Sequence, residues 1–255
     1  MKVFVINLDR DIERMKAAED QLRRLHVEFE RISAVDGKEL SIEEQKKSVN
    51  SFRWKCAVGR PFTLGEIGCA LSHIALYHRV VEEKLPLACV LEDDVILDER
   101  FPKVLSDLMN LFDEKKPQVF LLSNHSDSQG QLGDGYIGYM TPANVYDTSL
   151  KRISGDMFAE GYVVTYEGAK ALLKMNYPII TPCDWWTRWV KLGAIELYHA
   201  FPTVCRQNKH AYDSHTIVGM VKSTRALSLP RKIIHFTKRI FGITIDKILT
   251  ILFGR

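Results

Sequence analysis

Hydrophobic positions along the chain change their period in a regular order. Residues 2–8, KVFVINL, form a short apolar run rich in β-branched residues and predict a first strand. Asp9 or Asp11 can then cap a helix in which Ile12, Met15, Ala18, Leu22 and Leu25 recur three or four positions apart. Val27 to Ile32 alternates again as a strand, and a strand–helix–strand opening of this kind builds parallel sheets. After the Ala34–Gly37 turn, residues 38–62 are polar and irregular around Phe52 and Trp54, which predicts a surface segment or lid. Thr63 and Glu66 fit a capping box opening a helix with Ile67, Leu71, Ile74 and Val81 on one side, ending near Pro86. Gly65 and Gly68 permit close packing of that helix.

Residues 87–91, LACVL, are continuously apolar and predict a central buried strand that runs straight into Glu92-Asp93-Asp94. A helix near 101–112, a strand over Val119 to Leu122, a strand over Phe158 to Tyr166, a helix over Glu167 to Met175 and a short helix over Asp184 to Lys191 follow. Residues 124–156 are rich in Gly, Ser and Asp and predict only turns and a hairpin. The alternation indicates an α/β fold with a mostly parallel central sheet in one catalytic domain, residues 1–220.

Composition adds little to this, since 46% hydrophobic and 26% charged residues in 255 describe an ordinary globular chain. The start has no long apolar stretch after a basic region and does not resemble a secretory signal. Five cysteines without a C-x-x-C pair point to a reduced compartment and small buried thiols, and argue against a zinc site. Charge changes the picture more. The net +3 hides a tail, residues 221–255, that carries eight lysines or arginines against the single acid Asp246. Wound as a helix, that tail sets Ile233, Phe236, Ile240, Phe241, Ile248 and Leu252 on one arc, with His235, Arg239 and Asp246 opposite. It reads as a basic amphipathic helix lying on an anionic membrane surface, or alternatively as a helix packed on the body or in a dimer; its charges break it as a membrane span. The body is mildly acidic, so a nucleic-acid partner is not expected.

The acid triplet is the first candidate for chemistry. Three acids beyond a buried strand repel one another unless a cation or several donors compensate them, and hard oxygen ligands suit Mg²⁺ or Mn²⁺. Strand alternation sets Glu92 and Asp94 on one side and Asp93 on the other. A solvated loop is the alternative, but ligands bind at the carboxyl ends of strands in such folds. Asp184, beside Trp185 and Trp186, suits a sugar acceptor, with aromatic faces for the ring and a carboxylate for the hydroxyl proton; a helix cap is the alternative.

The segments INLDRDIERM, FERISAVDG, TLGEIGCALSHIALY, LACVLEDDVIL and EGYVVTYEGAKALL, with Pro182-Cys183-Asp184, follow in the order and spacing of glycosyltransferase family 25, the lipooligosaccharide glycosyltransferases, which the chain resembles over roughly residues 1–215. The resemblance implies a GT-A-like fold, a UDP-sugar donor, often UDP-galactose, and inverting transfer of a β-linked hexose to a saccharide on a lipid anchor. It implies Mn²⁺ or Mg²⁺ held by Asp94 and Glu92, with His215 completing the shell. By the same resemblance Asn7, Leu8, Arg10, Arg14, Ala34, Asp36 and Gly37 line the nucleotide end, and Ser72, His73 and Glu92 contact the donor or the metal's surroundings. The base is Asp184 or Asp93. Read without the resemblance, Arg14 is a helix-surface ion pair with Asp11, Asn7 a strand-end turn and His73 a core histidine. The expected place is the cytoplasmic face of a bacterial inner membrane. The rival functions are a metal-dependent nucleotide-sugar phosphohydrolase and a catalytically silent membrane-associated binding module.

Overall fold

A computed structural model describes residues 1–123, 148–153 and 158–208. The expected turns and hairpin within 124–147 and 154–157, His215 and the basic tail lie outside the described residues. Among the described residues no helix is long and apolar enough to cross a membrane.

The first apolar run forms β1 (Lys2–Asn7), and the periodic segment after it forms α1 (Ile12–Arg24). The next strand, β2 (Glu30–Ser33), starts later than Val27 because His26 takes a left-handed φ of 55° and Val27 N–H turns back to Leu22 O at 2.9 Å. The chain continues through α2 (Ile42–Ser48), α3 (Ser51–Val58), α4 (Leu64–Glu82), β3 (Leu87–Glu92), β4 (Val95–Leu97), α5 (Phe101–Leu111), β5 (Gln118–Leu121) and β6 (Ser149–Ile153). It then forms β7 (Gly161–Thr165), α6 (Tyr166–Asn176), α7 (Trp186–Lys191), β8 (Glu196–Phe201) and β9 (Cys205–Gln207).

The expected irregular lid over 38–62 is instead two helices. Ser41 and Glu44 form a capping box for α2, and Asn50 Oδ1 accepts from Arg53 N–H to start α3. Trp54 then anchors the pair: it is buried against Ile67, Ala70 and Ile74 of α4, and its Nε1 donates to Arg60 O at 2.9 Å. Neither helix is long enough to display a periodic apolar face, so the pattern does not reveal them.

The main sheet has the order β2-β1-β3-β7-β5-β8-β6. The strands β2, β1, β3, β5 and β8 run one way, while β7 and β6 run against them, giving the mostly parallel sheet that the alternation implied. Its central strands are apolar throughout because both faces are covered. Val3, Val5, Cys89 and Leu91 meet α1 and α5 on one face through Leu22, Phe101 and Leu108. Phe4, Ile6, Ala88 and Val90 meet α4, α6 and α7 on the other through Leu76, Leu172 and Trp189. Each such large side chain contributes about 1.5–3 kcal/mol by burial. The parallel strands β1, β2 and β3 end together, with Asn7 beside Ser33 and Ile6 beside Glu92, so one sheet edge collects the polar residues that follow them.

Candidate functional site

The acid triplet stands at that edge, but the alternation expected of it is overturned. β3 stops at Glu92, and Asp93-Asp94 form a turn before β4, so the two aspartates converge on one cation. Arg14, in the first turn of α1, places Nη2 2.6 Å from Asp93 Oδ1 and 3.0 Å from Asp94 Oδ2. All three side chains are nearly buried, so Arg14 is an internal clamp on the two aspartates. Asn7 Nδ2 donates to Asp93 Oδ2 at 2.7 Å and to Asp11 O at 3.0 Å, combining the strand-end turn with support of the acid. Arg31 Nε donates in turn to Asn7 Oδ1 at 2.9 Å. Both oxygens of Asp93 are therefore engaged.

Asp94 is supported from the far end of the described chain. Gln207 Nε2 donates to its Oδ2 at 3.0 Å, and Asn208 N–H to its carbonyl at 2.7 Å. Its Oδ1 is buried and, among the described residues, accepts no hydrogen bond. A buried carboxylate oxygen without a donor is costly, and a hard cation meets that need. Glu92 turns the other way, its Oε1 3.6 Å from His73 Nε2. Burial first, and then the charges of Asp94, Glu160, Asp93 and Asp184, hold the Glu92 carboxyl well above the usual range. Burial likewise raises Asp93, opposed by Asn7 and Arg14. Glu92 and Asp94 thus offer oxygen ligands in a site with excess negative charge, which fits a divalent cation.

The second loop is fixed against α4 by close backbone approach. Ala34 N–H donates to Asn7 O at 2.9 Å, and Val35 N–H to Ser72 Oγ at 2.9 Å; that hydroxyl donates to Gly68 O at 2.7 Å. A Cβ on Gly37 would sit 1.8 Å from Leu64 O, and one on Gly68 would sit 2.5 Å from Val35 O. These positions need glycine so that loop and helix can touch. Arg10 pairs with Asp36, whose Oδ1 also accepts from Lys38 N–H at 3.0 Å. Leu8 O accepts from Asp11 N–H at 2.9 Å, closing the turn after β1. Ser72 is a buried pin for the 34–37 loop.

His73 is 1% exposed. Its Nδ1 lies 2.7 Å from Tyr162 Oη, which lies 2.9 Å from Tyr77 Oη. It is thus a core histidine with one nitrogen turned toward the site. Asp184 precedes Trp185, the residue that caps α7, and accepts Trp186 N–H on its carbonyl at 2.8 Å. Its charge reaches Glu92. Trp186 is fully buried against Tyr162 with Nε1 donating to Phe158 O at 2.7 Å, so of the two tryptophans expected to meet a sugar only Trp185 keeps surface.

An open groove of about 800 Å³ lies along α1 among Asp9, Ile12, Lys16 and Arg31; of the acid-site residues it reaches only Asn7. Several participants had no clear local signal. Glu160 and Tyr162 sit in or beside an apolar strand, and Gln207 ends a three-residue strand too short to show a period. Cys69, His73 and Cys183 bring their ligand atoms within 4.8 Å of one another, a cluster that the search for C-x-x-C spacing could not find.

The family model described as glycosyltransferase family 25 (LPS biosynthesis protein) matches residues 1–187, which include every site segment named above except Gln207-Asn208. Procollagen galactosyltransferase 2 of Homo sapiens is 29% identical over 181 residues, covering 69% of this chain and 28% of that protein. A glycosyltransferase 25 family member of Drosophila melanogaster is 33% identical over 183 residues, covering 68% and 27% respectively. One from Anopheles gambiae is 30% identical over 190 residues, covering 68% and 28%. The match thus spans little more than a quarter of the length of these relatives.

Proposed function

The chain belongs to glycosyltransferase family 25, and from that premise we propose that it transfers a hexose, galactose in the first instance, from a UDP-sugar to a saccharide acceptor with inversion. The observation that carries the reading is the buried Asp94 Oδ1 without a donor, beside Glu92 and within charge range of Asp184. The name of the human relative supports galactose.

In this reading Asn7, Leu8, Arg10, Ala34, Asp36 and Gly37 shape the nucleotide end of the site. Arg14 and Asn7 hold Asp93 in place, and with both its oxygens engaged Asp93 positions Asp94 and leaves Asp184 as the base. Asp94 and Glu92 would hold a divalent cation, Mn²⁺ or Mg²⁺, which neutralises a departing diphosphate when bound. The acceptor hydroxyl oxygen attacks the anomeric carbon as the bond to UDP breaks, and its proton passes to Asp184. Attack opposite the leaving group inverts the anomeric centre.

The description of the family supports a lipopolysaccharide-type acceptor; the basic composition of residues 221–255 favours holding that segment on the anionic inner face of the membrane, with residues 1–220 as the catalytic unit. The relatives' names favour a second reading, a procollagen-type polypeptide acceptor. UDP release from a panel of UDP-sugars with Mn²⁺, with a truncated lipooligosaccharide, a procollagen peptide or no acceptor, tests the assignment. Release from one donor stimulated by one acceptor supports transfer and names both substrates. Release that ignores the acceptor is the behaviour of a phosphohydrolase, and none from any donor is the behaviour of a silent protein.

A further inference from the structure

A separate group of side chains flanks Glu92 on the α4 side, and sugar transfer leaves its sulfurs unused. Cys69 and His73 stand one turn apart on α4, and Cys183 arrives from the segment before α7. The two sulfurs lie 3.3 Å apart, and both residues are half-buried. His73 is 1% exposed, and Tyr162 Oη fixes its Nδ1 at 2.7 Å. That anchor leaves Nε2 buried and, among the described residues, without a hydrogen bond, facing Glu92 Oε1 at 3.6 Å.

We propose that Cys69, His73 and Cys183 bind a thiophilic divalent cation, zinc in the first instance, with solvent at the fourth position. Two thiolates and one imidazole, with water as the fourth donor, are a set that zinc takes in tetrahedral geometry. With Zn–S bonds of about 2.3 Å, tetrahedral sulfurs stand about 3.8 Å apart, so the pair opens by about half an ångström on binding. Tyr162 plays the part that an outer hydrogen-bond partner plays for a ligating histidine: Nδ1 keeps its proton and donates to the hydroxyl, which leaves the Nε2 lone pair for the metal. Soft sulfur donors separate this site from the oxygen site at Asp94, which suits Mg²⁺ or Mn²⁺. The ion ties the segment carrying Asp184 to α4. Binding releases the two thiol protons and needs no oxidant.

The test uses the whole chain, fully reduced and stripped by chelator, titrated anaerobically with Co²⁺. One equivalent is expected to give thiolate-to-cobalt charge-transfer absorption and tetrahedral visible bands, which Zn²⁺ then displaces. Cys69→Ser and Cys183→Ser, each checked for folding by circular dichroism, lose most of the charge-transfer intensity, whereas Cys56→Ser keeps it. Zinc raises the melting temperature of the unsubstituted chain by several degrees and that of Cys183→Ser by less. Alkylation followed by peptide mass spectrometry reads the same site without substitution: zinc shields Cys69 and Cys183 but not Cys56. No cobalt absorption from the reduced chain, intensity unchanged in Cys183→Ser, or equal alkylation with and without zinc would overturn the proposal.

Discussion

The parallel side of the sheet, β2-β1-β3, and the mixed side, β7-β5-β8-β6, meet at Glu92 and treat buried charge differently. On the parallel side Arg14 clamps Asp93 and Asp94, Asn7 supports Asp93, and Arg31 supports Asn7, while Asp94 Oδ1 accepts no hydrogen bond among the described residues. Toward the mixed side, Glu92 lies within charge range of Glu160 and Asp184, and burial together with its acidic neighbours holds its carboxyl well above the usual range. The clamped acids are pre-organised where the nucleotide is proposed to bind, and the charge gathered around Glu92 and Asp94 Oδ1 lies where metal and acceptor are proposed to complete the site.

The largest expected effect falls on the mixed side. Asp184→Asn should lower kcat about 10³-fold, or about 4 kcal/mol, with UDP affinity unchanged. Acceptor-dependent UDP release beside UDP titration separates the two, and normal turnover in this variant would remove Asp184 as the base. On the parallel side, Arg14→Met leaves two buried aspartates unpaired and should cost about 3 kcal/mol in urea denaturation, partly restored by a divalent cation. A cost below about 1 kcal/mol would mean that the clamp is not what holds the turn.

Two glycines sharpen the contrast further. Gly37→Ala would drive a Cβ into Leu64 O and should cost about 2 kcal/mol while weakening UDP binding. Gly193→Ala meets open space and bears only the strain of its φ of 71°, about 1 kcal/mol, with UDP binding unaltered. The smallest effect has the opposite sign. Because the folded-state pKa of Glu92 lies above its ordinary 4.5, the folded chain binds that proton more tightly than the unfolded chain does. Stability of the metal-free protein therefore falls as pH rises above about 4.5 toward the folded value. Glu92→Gln should remove that fall and gain at most about 1 kcal/mol at neutral pH, seen in melting temperatures across a pH series; a loss at neutral pH would contradict the direction of the shift.

The same division governs what the chain's pattern disclosed. β1, α1, α4 and β3 are long or strongly periodic, and the triplet at the end of β3 could be located from its position after an unbroken apolar run. The edge formed by Asn7, Ser72, His73 and Glu92 follows from those elements. By contrast, α2 buries no residue, and β9 is three residues long, so neither carries a readable period. In β8 the buried His199 interrupts the apolar pattern. The convergence of Asp93 and Asp94 on Arg14 depends on a turn that strand alternation cannot anticipate. Cys69 and Cys183, 114 residues apart in sequence, meet only because α4 and the segment before α7 pack on the same sheet face.

The central claim is that the carboxyl ends of β1 and β3 form a metal-assisted UDP site. Calorimetric titration of UDP into the full chain with Mn²⁺, compared with Asp94→Asn, tests it most directly. Saturable binding that requires Mn²⁺ and is lost in the variant is the predicted result; equal binding by both proteins, or binding indifferent to Mn²⁺, would contradict it.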